Sequence, residues 1–550
     1  MMDLLDDAAR ARRRLPVLIC LAALALLAST VPAVAATGKQ STASQAPPGS
    51  RCGASYLQSA LHLAQVTVDS AALDTTGSFT PPGQPAISGL PDFCDVTLTR
   101  TDPAGNPIHI YVWLPDPWNG RFQGVGGAVY ECGPIFTETA AAIRGGYASA
   151  ATDCGVNPAD LLTGSWALNS NGTLNTPLID DFSYAGIHDM TVAGKAVTQV
   201  YYPSPLRYSY FNGCSTGGRE GLMEAQRYPA DYNGIVSGSP AINWTKFIPS
   251  ELWPELVMLQ SHDFLPSCKE QAFTNAVIAA CADGSGVVEN PAACRFNPFQ
   301  LAGRVTPCGT ITRTDAAVVE KIWAGPIIDG KHLWYGLEPG TSLSGLAATT
   351  TSTGTTGPVA FPVSVGWFRY WLTQNPGFNW ETLTYQQFLR YFEQSVAEFA
   401  FPIATANPDL GAFEQDGGKI LIWHGLDDQL IFPQGTINYY QRVQDTVGAE
   451  NTATFARLFI APGAQHCAPA AGPAPANPLQ DVVSWVEHGQ APATILATGG
   501  VDPATGEPTQ RPLCRYPYLS EYVSGDPGSL DSYACVLLTR AEQQQLTALS

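Results

Sequence analysis

The stretch FNGCSTGGREG, residues 211–221, sets a serine in the frame Gly213-Cys214-Ser215-Thr216-Gly217. The residues before it, YSYFN, are aromatic-rich and read as a strand, and those after it, GGREGLMEAQRY, read as a helix. A strand that passes through Gly-x-Ser-x-Gly into a helix is a nucleophile elbow. Its serine sits in a strained turn, and the glycines are needed because side chains there would collide with the strand or the helix. This predicts an α/β sheet with Ser215 exposed at its carboxyl edge and the Thr216 amide, at the helix N-terminus, aimed at a developing oxyanion. A glycine-rich turn with an idle serine is the competing reading, and the strand and helix around it weigh against that.

Serine attacks only when a base takes its proton, and in this architecture the chain order is nucleophile, acid, base. Of eight histidines, three lie well beyond the elbow in the C-terminal part: His424, His466 and His488. His488 ends an amphipathic helix, where the dipole favours a solvated cation. His424 closes the strand KILIWHG and precedes the acidic pair, the wrong order for a base. His466, in APGAQHCAP just past another strand, is the candidate base. Asp427 and Asp428, in WHGLDDQLIFP, both stand where the orienting acid belongs, and residue type does not separate them. Cys214 precedes the nucleophile and Cys467 follows the base. If Ser215 and His466 meet, their neighbours approach the ~5.5 Å α-carbon spacing of a disulfide. That bond would close a loop of about 250 residues, nominally worth ~5 kcal/mol in the entropic model.

With 550 residues the chain exceeds one plain core. Residues 1–35 combine arginines, an apolar run and Ala33-Val34-Ala35, the pattern of a signal peptide cleaved near Ala35 and thus of a secreted protein, extracellular or periplasmic. Residues 36–50 read as a disordered leader. Strand and helix alternate over 51–240, the rhythm breaks over 241–405, and it resumes over 406–550, which predicts one α/β core with a large insertion. The Ser/Thr/Gly run at 340–358 is expected to be a mobile surface loop. Aromatic side chains at 365–380 either stack on a substrate ring or form the core of the insertion, and Arg369 either meets a substrate carboxylate or is solvated. Twelve of thirteen cysteines remain once Cys20 leaves with the signal, an even set suited to disulfides in an oxidising compartment. A net charge of −19 argues against nucleic acid or an anionic membrane as a partner. Oligomeric state is not readable.

The segments GCSTGGREGLMEAQRYPADYNGIVSGSPA, DLGAFEQDGGKILIWHGLDDQLIFP, APGAQHC and RPLCRYPYLSEY closely resemble the tannase and feruloyl esterase family, which also includes mono(2-hydroxyethyl) terephthalate hydrolase. The likeness runs from about residue 50 to 537. It implies an α/β-hydrolase core with a large inserted lid domain, and a secreted serine esterase acting on small aromatic, including plant-derived, esters through an acyl-enzyme. It selects Asp428 as the acid, the fourth position after the His of the family's His-Gly motif. It assigns a second oxyanion amide to Gly127 in FQGVGGAVY. It pairs Cys52 with Cys94, Cys281 with Cys294 and Cys514 with Cys535. Elimination leaves Cys132 with Cys154 and Cys268 with Cys308. The family's lid calcium loop is shortened here to CADGSGVVENPAAC, which keeps only Asp283 of that loop's acids, so no metal or cofactor is expected. Two alternatives stand beside this reading: a hydrolase of terephthalate half-esters, and an inactive relative that binds phenolic ligands.

Overall fold

The computed structural model of the protein describes residues 51–282, 284–352, 354–501 and 506–549. The expected signal peptide, the leader and Asp283 lie outside the described residues.

Nine strands form the central sheet: β1 (Val66–Asp74), β2 (Asp92–Thr101), β3 (Pro107–Asp116), β4 (Arg121–Val125), β5 (Ala148–Thr152), β6 (Tyr208–Cys214), β7 (Gly234–Gly238), β8 (Lys419–Gly425) and β9 (Ala456–Ala461). Their spatial order is β1-β2-β3-β5-β4-β6-β7-β8-β9. Pairing is antiparallel from β1 through β3 to β5 and parallel from β5 to β9. The change of hand matches the residues. The antiparallel β2 alternates buried and half-exposed positions, whereas every residue of β5 and β7 is buried, as parallel strands covered on both faces require.

The two faces take alternate side chains of the same strands. Phe211, Ile235, Ile420 and Ile422 enter one core, and Tyr210, Val236, Leu421 and Trp423 enter another. Helix α1 (Gly186–Tyr201) packs on β3 and β5, and α2 (Thr216–Arg227) packs on β6 and β7. On the second core, Val482 and Val483 of α5 (Pro478–His488) cover β7 and β8.

Between β7 and β8 the described residues add no strand to this sheet. It builds helices instead, among them α3 (Trp244–Ser250) and α4 (Tyr385–Ile403), which pack on each other. Trp367, Phe368 and Trp371 are fully buried there, so these rings form core. The Ser/Thr/Gly run differs from its expectation: Thr349–Ser352 pairs with Thr355–Pro358 in a short antiparallel hairpin. Its run of β-branched threonines favours extended pairing, and Gly354, at φ 81°, takes the left-handed turn between the strands.

Candidate active site

Strand β6 ends at Cys214, Ser215 turns at φ 62° and ψ −124°, and α2 begins at Thr216. A positive φ at a non-glycine residue is strained and persists only where its surroundings over-determine it. Here the Ser215 amide donates to Gly238 O at 2.9 Å, and the Ser215 carbonyl accepts from Arg219 and Ala241 amides at 3.0 Å each. The glycines are steric. A Cβ on Gly213 would lie 2.5 Å from the Gly217 carbonyl, and one on Gly126 would lie 2.4 Å from the Gly217 Cα.

Ser215, Thr216 and His466 line one cavity of about 570 Å³. Asp428, in the turn after β8, and His466, in the loop after β9, come from neighbouring parallel strands. His466 Nδ1 lies 2.8 Å from Asp428 Oδ2. Asp428 Oδ1 accepts from the amides of Leu430 and Ile431, both at 2.9 Å. Burial alone would raise this carboxyl. The positive charge of His466 and hydrogen bonds from His424 and His466 outweigh it and hold Asp428 well below the usual carboxylate range. No bond joins Asp427 to either histidine, and burial, opposed by Arg511, pushes its carboxyl up to about 7. Position thus separates the two adjacent acids, and it is Asp428 that reaches His466.

His424 has a place that chain order concealed. It is fully buried, with Nε2 at 3.0 Å from Asp428 Oδ2 and 3.1 Å from Ile431 O, and Nδ1 at 2.9 Å from Thr436 Oγ1. Two acceptors at Nε2 put the proton there, so Nδ1 accepts from the threonine. The spacing His424-x-x-x-Asp428 was visible, but Thr436 arrives from the following helix.

Cys214 and Cys467 are bonded, with α-carbons 6.0 Å apart across 253 residues. The other pairs are Cys52 with Cys94, Cys132 with Cys154, Cys268 with Cys308, Cys281 with Cys294, and Cys514 with Cys535.

The expectation for Gly127 needs correction. Its amide donates to Glu220 Oε2 at 2.9 Å and its carbonyl accepts from the Gly217 amide at 3.0 Å, so the glycine braces the loop against α2 and has no free N–H for an oxyanion. Glu220 is buried in α2, and burial pushes its carboxyl up to about 8. Thr216 Oγ1 adds a second brace, donating to Val129 O at 2.7 Å. The aromatic rings of Trp244, Phe247, Phe361 and Trp423 line the cavity wall, and Arg369 is not among the residues lining it. Away from the cavity, ligand atoms of His188, Glu224 and Asp231 lie within 4.8 Å of one another. Asp231 already bonds His188 at 2.7 Å and pairs with Lys195 at 3.7 Å, so an ammonium occupies the neighbourhood a metal ion would need.

The family model described as tannase and feruloyl esterase matches residues 94–536. A probable feruloyl esterase of Arthroderma benhamiae is 42% identical over 470 residues, 83% of this chain and 88% of the relative. A probable feruloyl esterase B-1 of Neosartorya fischeri is 30% identical over 534 residues, 88% of this chain and 96% of the relative. Among solved structures, feruloyl esterase B from Aspergillus oryzae matches with a TM-score of 0.77 at 25% identity, covering 89% of this chain and all of that one. The tannin acyl hydrolase from Aspergillus niger shares the fold, with a TM-score of 0.79 at 24% identity over 90% of this chain and 96% of that one. With an α/β-hydrolase core and this match, the chain belongs to the tannase and feruloyl esterase family of carboxylic ester hydrolases.

Proposed function

We propose that this chain is a secreted serine esterase that hydrolyses small esters of phenolic aromatic acids, plant-derived ones among them, through an acyl-enzyme. The observation that carries it is the Asp428–His466 hydrogen bond at 2.8 Å, with His466 lining the same cavity as Ser215 and its loop tied to the Ser215 turn by the Cys214–Cys467 bond. In this reading His466 Nε2 takes the Ser215 proton as Oγ bonds to the ester carbon. The Thr216 amide stabilises the oxyanion, and the alcohol leaves with the proton from His466. Water repeats the sequence on the acyl-enzyme and releases the acid. Asp428 holds the imidazole at Nδ1. No step uses a metal or cofactor. Residues 241–405 serve as the lid over the acid half.

The relatives' printed names, feruloyl esterase and tannin acyl hydrolase, support the phenolic class. Six disulfides suit an oxidising compartment, and no helix among the described residues is long and apolar enough to cross a membrane. The deciding experiment is hydrolysis of methyl ferulate, methyl gallate, chlorogenic acid and a terephthalate half-ester by the oxidised protein and by Ser215→Ala. We expect turnover of at least one phenolic ester, lost in the variant. Folded wild type that cleaves none of them overturns the assignment in favour of a ligand-binding relative.

A further inference from the structure

The cavity wall holds an acid that the proposed chemistry does not use. Glu251 follows α3, is 2% exposed, lines the cavity, and its Oε2 has no hydrogen-bond partner among the described residues. Its amide donates to Phe247 O at 2.9 Å, so the backbone carrying it is set by the helix end. Phe247, Ile248 and Ile431 are apolar members of the same lining. Trp244 Nε1 is a second buried polar atom without a partner, on a side chain of the same wall. Leaving such groups unpaired is unfavourable, and a ligand's hydrogen bond would offset that.

The lining also says which ligand groups fit. It contains Glu138 and Glu251 and, among the described residues, neither lysine nor arginine. The lining's histidine, His466, is already paired with Asp428, so a substrate carboxylate would be desolvated there without a free counter-charge, whereas a hydroxyl needs only a hydrogen-bonding partner. Burial, reinforced by the negative charge of Asp428, pushes the Glu251 carboxyl well above the usual carboxylate range. Burial thus favours the protonated form, in which the carboxyl both donates to and accepts from a hydroxyl, and either form can pair with one.

We propose that Glu251 is a specificity-determining residue that hydrogen-bonds a hydroxyl on the ring of a neutral aromatic ester, and that this cavity discriminates against esters bearing a free carboxylate. This rests on the esterase reading above and names the substrate class of the same site.

The test compares kcat/KM for methyl p-coumarate and methyl cinnamate, which differ by the ring hydroxyl, in wild type, Glu251→Leu and Glu251→Gln. Wild type is expected to prefer the hydroxylated ester. In Glu251→Leu that preference falls by roughly tenfold or more, and Glu251→Gln, which still donates and accepts, retains most of it. Mono(2-hydroxyethyl) terephthalate is expected to be turned over at least roughly tenfold less well than its neutral methyl ester. An unchanged preference in folded Glu251→Leu overturns the assignment. So does a wild type indifferent to the ring hydroxyl, a result that does not depend on any variant folding. A wild type that prefers the anionic half-ester overturns the discrimination. If wild type cleaves none of these esters, the esterase reading fails and this inference with it.

Discussion

Both oxygens of Asp428 are engaged, Oδ1 by two backbone amides and Oδ2 by two imidazoles. His424 is accordingly a positioning residue: it shares Asp428 Oδ2 with His466 and does not line the cavity. Replacing it by phenylalanine keeps a buried ring and removes one charge-assisted hydrogen bond, ~1.5–3 kcal/mol, so kcat should drop about tenfold or more. With one donor fewer, Asp428 attracts the proton on His466 more strongly, and the acid limb of the kcat/KM profile should move to higher pH. A lesion of packing alone would lower activity at every pH and leave that limb in place. Ser215 and His466 were legible because each sits in a short motif with its own reason, a glycine-framed turn and a strand-end loop. His424 was passed over because chain order describes who follows whom, whereas its partners Ile431 and Thr436 meet it through the fold.

The turn at Ser215 joins β6 to α2, His466 follows β9, and two strands, β7 and β8, separate β6 from β9 in the sheet. The bond between Cys214 and Cys467 spans that gap, joining the chain neighbours of Ser215 and His466. Replacing both cysteines by alanine should lower unfolding stability by up to ~5 kcal/mol in the entropic model, read from denaturant titration. It should also cut kcat where the variant is still folded, because the loop carrying His466 loses its tether to the elbow. Full activity in a destabilised but folded variant would reduce the bond to a staple. The strand, turn and helix of the elbow were readable from residue types because all three are local. The hairpin at 349–358 was not, since its composition also suits a loop and pairing depends on what flanks it.

Across the molecule, burial lifts several carboxyls far above their unfolded values: Asp181, Glu220, Glu255 and Glu270 are each raised to about 8. Unfolded, these groups titrate near pH 4, so between about pH 4 and 8 the native state binds more protons than the unfolded one. Stability must therefore fall as pH rises through that window. Asp428 acts oppositely: its contribution is present above the ordinary carboxylate pKa and is lost as pH falls below it. Raised acids outnumber it, so thermal unfolding should give a higher Tm at pH 5 than at pH 8, and a Tm that climbs between these values would contradict the balance. None of these acids was identifiable from composition, which shows a net charge of −19 and not which carboxylates are buried. Residue order alone was enough for the strand-turn-helix at Ser215, for His466 in a loop past a strand, and for the Cys214–Cys467 pairing, because each depends on a local backbone conformation or on chain adjacency to one. The choice of Asp428 by geometry, the hidden role of His424, the diversion of the Gly127 amide to Glu220 and the unpaired Glu251 in the wall emerged in three dimensions. They depend on strand register and loop paths that bring side chains from distant segments within 3 Å or so, and periodicity along the chain carries no record of those distances.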